Sequence, residues 1–96
     1  MHIISKKALV AFWLTHKEAK PPLSAWYTVC NKTNFENFAH LKRAFSSVDK
    51  VGKFTVFDIG GNKWRLITIV NYSGRKIYVR HVLTHDEYDR DFWKRE

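Results

Sequence analysis

The 96-residue chain holds one cysteine, two prolines and four glycines, and only 9 acidic residues against 17 lysines and arginines. Each scarcity removes a class of answer. With Cys30 alone no internal disulfide can form, and its neighbours Tyr27, Thr28 and Val29 describe an ordinary half-buried thiol. No apolar run approaches the roughly 18 residues that a membrane-spanning helix needs, so no membrane partner is expected. The opening MHIISKKALVAFWL is broken by Lys6 and Lys7 and lacks a small-residue cleavage pattern, so no signal peptide is expected either. A reducing cytoplasm is the default location. There is no repeat, no low-complexity segment, no Walker loop, no dinucleotide fingerprint and no Gly-x-Ser-x-Gly elbow. His2, His16 and His40 lack a cysteine or carboxylate at ligand spacing. Neither a metal nor a cofactor is therefore expected.

What is present supports one folded unit, residues 1–96, since a hydrophobic content of 45% can build a core without covalent help. The formal charge of +8 exceeds what solubility requires. It points to a polyanionic or acidic partner, with a merely solvated basic surface as the other reading.

Hydrophobic spacing divides the chain into a helical half and a strand half. Met1–Ile4 can form a short strand, and Ser5 can cap a helix over residues 6–19 with Leu9, Phe12, Trp13 and His16 on one face. Pro21 and Pro22 stop that helix and suit the start of a second, from Pro22 to about Asn31, carrying Leu23, Trp26, Tyr27 and Cys30. The two make a helical hairpin. Phe35, Phe38, Leu41 and Phe45 suggest a short helix or packed loop, and residues 46–50 a turn. KFTVFDI (53–59), KWRLITIVNY (63–72) and RKIYVRHVL (75–83) then read as strands of an antiparallel meander, separated by Gly60-Gly61-Asn62 and Ser73-Gly74. Thr84-His85-Asp86-Glu87 fits a capping box opening a final helix with Tyr88, Phe92 and Trp93.

Register arithmetic then sorts the side chains. A two-residue turn at Ser73-Gly74 sets Arg65 opposite Val82 and Ile67 opposite Arg80. Arg65, Tyr78 and Arg80 are thereby expected on one sheet face. Trp64, Leu66, Val70, Ile77, Val79, His81 and Leu83 belong to the other, which faces the helical hairpin. A turn at Gly61-Asn62 sets Asp58 opposite Arg65, so an ion pair between them is expected. Two guanidinium groups on one half-buried face suit a phosphate.

The run GGNKWRLITIV, followed by a turn and YVRHVLTHDEYD, resembles the HigB-type branch of the RelE/ParE toxin superfamily. MHIISKKAL and HLKRAF resemble it too, and the resemblance extends over nearly the whole chain. It implies a compact α+β fold, with an N-terminal helical hairpin on a small antiparallel sheet and a short C-terminal helix. It implies the toxin of a type II toxin–antitoxin system, an mRNA interferase that cuts mRNA in the ribosomal A site without metal. Its partners would be the ribosome and a helix-turn-helix, HigA-like antitoxin. Arg65 and Arg80 match the strand arginines of the HigB-like motif, and His85 and Tyr88 match its Thr-His-x-Glu-Tyr portion.

Those residue types suit metal-free RNA cleavage. The 2′-OH can attack its own phosphate if one group removes its proton, another protonates the leaving 5′-oxygen, and cations stabilise the phosphorane. A histidine, with an ordinary pKa near roughly 6.5, serves either proton transfer at neutral pH. The expected catalytic set is Arg65, Arg80, His85 and Tyr88, with Lys42, Arg43, Lys63, Arg75 and Lys76 contacting RNA. Two rivals use the same residues differently: a non-catalytic RNA- or ribosome-binding module, and a ParE-like topoisomerase inhibitor.

Overall fold

The computed structural model describes residues 1–95. Strand β1 (His2–Ile4) leads into helix α1 (Lys6–Thr15), a 3₁₀ turn (Lys17–Ala19) and helix α2 (Lys20–Lys32). Helix α3 (Phe38–Ala44) follows, then strands β2 (Asp49–Val51), β3 (Phe54–Ile59), β4 (Trp64–Asn71) and β5 (Lys76–Thr84). The chain closes with helix α4 (His85–Asp89) and a 3₁₀ turn (Phe92–Arg95). The mixed α+β class and the helical hairpin stand as expected. Among the described residues, no helix is long and apolar enough to cross a membrane.

Several boundaries differ from the expectation. The first helix ends at Thr15, where the His16 N–H bonds the Phe12 carbonyl and the His16 ring stacks on Phe12 at 4.1 Å. Ser5 holds the cap position without a side-chain bond. Residues 46–50 are not only a turn, because Asp49–Val51 pairs with β3 as an edge strand. The sheet is therefore five-stranded, in the order β1-β5-β4-β3-β2. It is mixed, since β1 runs parallel to β5.

The largest correction is a β-bulge. Pairing follows the expected sum from Asn71↔Lys76 to Thr68↔Val79, then slips by one so that Ile67 faces His81 and Arg65 faces Leu83. Arg80 is the inserted residue and is exposed. A one-residue slip reverses every later side chain. Val82 therefore packs on the helix side, while Leu83 leaves it for the opposite face. His81 likewise joins the Arg65 face, where its ring meets Phe92 edge-on at 5.8 Å.

The sheet accordingly has a core on each side. Leu9, Leu23, Trp26, Cys30, Leu41, Phe57, Leu66 and Ile77 fill the helix side. Phe54, Val56, Ile67, Leu83 and Trp93 form the second, smaller core. Burial pushes the Cys30 thiol from 9.0 up to about 12, against the opposing effect of the Met1 ammonium. The raised value means that Cys30 favours the folded state below pH 9.0 and that this contribution is lost as pH climbs towards 12. Cys30 should resist thiol reagents at pH 8 until denaturant unfolds the chain. Rapid labelling of the native protein would contradict this burial.

Candidate active site

The site grows from the turn that joins β3 to β4. Gly60 has φ +63°, and a Cβ there would lie 2.6 Å from the Trp64 ring, so only glycine fits. Asn62 follows at φ +105°, an uncommon conformation for a residue with a side chain. The turn directs both Asn62 oxygens at Arg65. Its carbonyl accepts from Nη1 at 3.0 Å, and its Oδ1 accepts from Nη2 in a short hydrogen bond. Arg65 Nη1 also donates to the Trp64 carbonyl at 3.4 Å. Across the ladder, the expected ion pair is present, with Arg65 Nε 3.0 Å from Asp58 Oδ1. The Arg65 side chain is only 10% exposed. A buried cation so surrounded is fixed, and removing one of its partners would leave charge unmatched.

Beyond the paired ends of β4 and β5, the chain enters α4 through the anticipated capping box. Glu87 N–H donates to Thr84 Oγ1 at 3.3 Å, and Thr84 N–H to Glu87 Oε1 at 2.9 Å. This cap sets Tyr88 over Arg65, whose guanidinium carbon lies 5.1 Å from the ring centroid. On its other contact the phenol ring stacks with Trp93, at 5.0 Å and 14°. Trp93 Nε1 donates to the Tyr88 carbonyl at 2.9 Å, closing the arrangement. Burial pushes the Tyr88 phenol above its ordinary 10.0. Asp49 and Asp58 add to that shift, while Arg65 and Lys94 oppose it. The hydroxyl is thus a neutral donor at neutral pH.

His85 occupies the same short helix but faces outward. Its Nδ1 lies 3.1 Å from Asp89 Oδ2, with both side chains about half exposed (48% and 60%). An imidazole that donates from Nδ1 keeps Nε2 available as an acceptor. Arg80 stands further along β5. It stands four positions before Thr84, about 13 Å at the usual strand rise.

The five expected RNA-contacting cations do not gather at this end. Lys63 does, but it is held 3.3 Å from Glu18. Arg75 and Lys76 lie at the far end of β4, where Lys76 pairs with Asn71, six residues or about 20 Å from Arg65. Arg75 instead borders a cavity of about 740 Å³ with Tyr72, Asn34 and Glu36. Helix α3 packs on the helix side through Leu41, so Lys42 and Arg43 belong to that layer, and Lys42 Nζ donates to the Val48 carbonyl at 2.8 Å. Among the described residues, no three His, Cys, Asp or Glu side chains cluster as metal ligands.

Sequence reasoning missed the contributions of Asn62, Trp93 and Asp89. Asn62 was visible as part of the Gly-Gly-Asn turn, but only its positive φ reveals the aim of its oxygens. Asp89 stands four residues after His85, a spacing that brings helical side chains together.

Comparisons with known proteins place this chain in a family. Residues 19–91 match the HigB toxin family model, described as the RelE-like toxic component of a toxin–antitoxin system. The mRNA interferase toxin HigB of Escherichia coli K12 is 36% identical over 92 residues, covering 93% of this chain and 88% of the relative. The mRNA interferase HigB of Shigella flexneri gives the same identity and coverage. That of Escherichia coli O6:H1 is 31% identical over 93 residues, covering 94% of this chain and 90% of its own. The chain belongs to the HigB family of RelE-like toxins, the toxic components of toxin–antitoxin systems.

Proposed function

We propose that this chain is an mRNA interferase, an endoribonuclease toxin that cuts mRNA in the ribosomal A site of the cytoplasm and is silenced by a helix-turn-helix, HigA-like antitoxin. Family membership and the names of its relatives support the toxin and the mRNA cutting. One structural observation carries the chemistry: a neutral phenol and an exposed imidazole share one turn beside a buried guanidinium.

In this reading His85 is the base. With Nδ1 facing Asp89, Nε2 removes the 2′-OH proton. The 2′-oxygen attacks the adjacent phosphorus, and the bond to the 5′-oxygen breaks. Tyr88 gives that oxygen its proton, leaving a 2′,3′-cyclic phosphate and a free 5′-OH. Arg80 supplies positive potential to the phosphorane, while Arg65 lies against the Tyr88 ring. Lys63 stands two residues before Arg65 in the chain, while Lys42, Arg43, Arg75 and Lys76 would meet RNA or ribosome elsewhere.

So open a site orients its substrate weakly. The ribosome supplies the missing orientation, which alone can contribute several powers of ten in rate. Purified protein is expected to leave free mRNA nearly intact and to cut the same mRNA efficiently on translating ribosomes. Equal rates with and without ribosomes would overturn the A-site reading. Slowed translation without cuts would indicate a binding module instead, and intact translation a ParE-like topoisomerase inhibitor.

A further inference from the structure

We infer that Asp58 and Asn62 clamp Arg65 as a fixed cationic platform under Tyr88, so that Arg65 is a positioning residue acting through the phenol and not a contact to the scissile phosphate. The inference rests on the reading of Tyr88 as the proton donor, and it assigns roles to residues that reading leaves out.

Four observations carry it. The guanidinium is already engaged through all three nitrogens, by Asp58, by both Asn62 oxygens and by the Trp64 carbonyl. It is almost excluded from solvent, at 10% exposure, so a phosphate cannot approach it as it would an open fork. Its remaining contact of consequence is the Tyr88 ring, at 5.1 Å. The clamp also depends on an uncommon backbone, since Asn62 stands at φ +105° to present both oxygens to one cation. Unusual φ values at residues with side chains concentrate at functional sites, where surrounding structure enforces them.

The platform and the Trp93 stack together leave the phenol one orientation. A donor held in one orientation meets the leaving oxygen without a search, and displacement by about 1 Å can cost on the order of 100-fold in rate. The charges facing the phenol come from four elements: Asp49 on β2, Asp58 on β3, Arg65 on β4, and Lys94 in the C-terminal turn. Arg65 and Lys94 oppose the upward push of the two carboxylates. Loosening the platform should therefore both misalign the hydroxyl and shift its titration upwards.

The test is a double-mutant cycle on programmed ribosomes. Arg65→Lys keeps the charge but loses the fork. Asn62→Gly keeps the positive φ and removes the side chain that carries Oδ1, so it tests the clamp even where Arg65→Lys fails to fold. Each is expected to lower the maximal single-turnover rate by on the order of 10- to 100-fold. The ribosome concentration giving half that rate should stay unchanged. In a Tyr88→Phe background neither substitution should lower the rate further. Ultraviolet titration of the free protein, with Tyr88→Phe as the blank, should show the Tyr88 phenol ionising at higher pH in Asn62→Gly. A multiplicative loss in the Tyr88→Phe background, or a weakened half-saturation with an unchanged maximal rate, would show Arg65 contacting the substrate and overturn the clamp while leaving the site in place. Parent-like cleavage by Tyr88→Phe itself would overturn the proton-donor reading, and the clamp with it.

Discussion

His85→Ala and Tyr88→Phe are each expected to slow single-turnover cleavage on programmed ribosomes by roughly 10²–10⁴, the usual cost of losing a general base or acid. Neither should disturb the fold. The His85 side chain is 48% exposed, and its partner is Asp89, four residues away on the same short helix. Phenylalanine at 88 keeps the stack on Trp93 and the ring over Arg65, and removes only the hydroxyl. Thermal melts of both variants should therefore superimpose on the parent. Arg80→Ala should likewise lower the rate, through lost stabilisation of the phosphorane. Parent-like cleavage by all three variants would show that the site lies elsewhere, whatever the family. Activity lost only in step with stability would make Arg80, His85 and Tyr88 structural residues.

Trp93→Ala is expected to cost about 3–5 kcal/mol of folding free energy, the range for emptying a fully buried aromatic site. Trp93 is completely buried, meets Phe54 edge-on at 5.6 Å, and anchors the carbonyl of Tyr88 through its indole N–H. It is the only residue of the C-terminal 3₁₀ turn inside the second core. Its loss would open that core and release the phenol from one of its two supports. Denaturant unfolding should report a lower midpoint with an unchanged slope. A change below about 1 kcal/mol would mean that the second core contributes little to stability.

The features legible in the sequence were those fixed by local chemistry. The capping box needed only Thr84 and Glu87 three residues apart. The Asp58–Arg65 pair followed from a tight turn at Gly61-Asn62 and the alternation of strands. The helical hairpin followed from apolar spacing and from Pro21-Pro22, which sit in the first turn of α2, although the break itself falls earlier, after Thr15. What escaped was decided by contacts distant in sequence. Strand β2 is three residues long and exists because β3 offers it a ladder. The parallel pairing of β1 with β5 has no local signal at all. The bulge at Arg80 occurs inside an apolar alternation that looks unbroken, and one inserted residue moved His81, Val82 and Leu83 to new faces. The closing helix stops after five residues, and Asp91 at φ +61° turns the chain so that Trp93 comes back beneath Tyr88. No glycine announces that turn, so a longer helix was the natural expectation.

The central claim is that the RNA supplies its own nucleophile while His85 and Tyr88 move the protons. The most direct measurement uses an mRNA with a single 2′-deoxynucleotide immediately 5′ of the mapped cut, presented on programmed ribosomes in single-turnover conditions. The account predicts that this mRNA binds as before but is not cut at that phosphate. The all-ribose control should yield a 2′,3′-cyclic phosphate and a 5′-OH end. Cleavage of the deoxy-substituted mRNA at the control rate would contradict it.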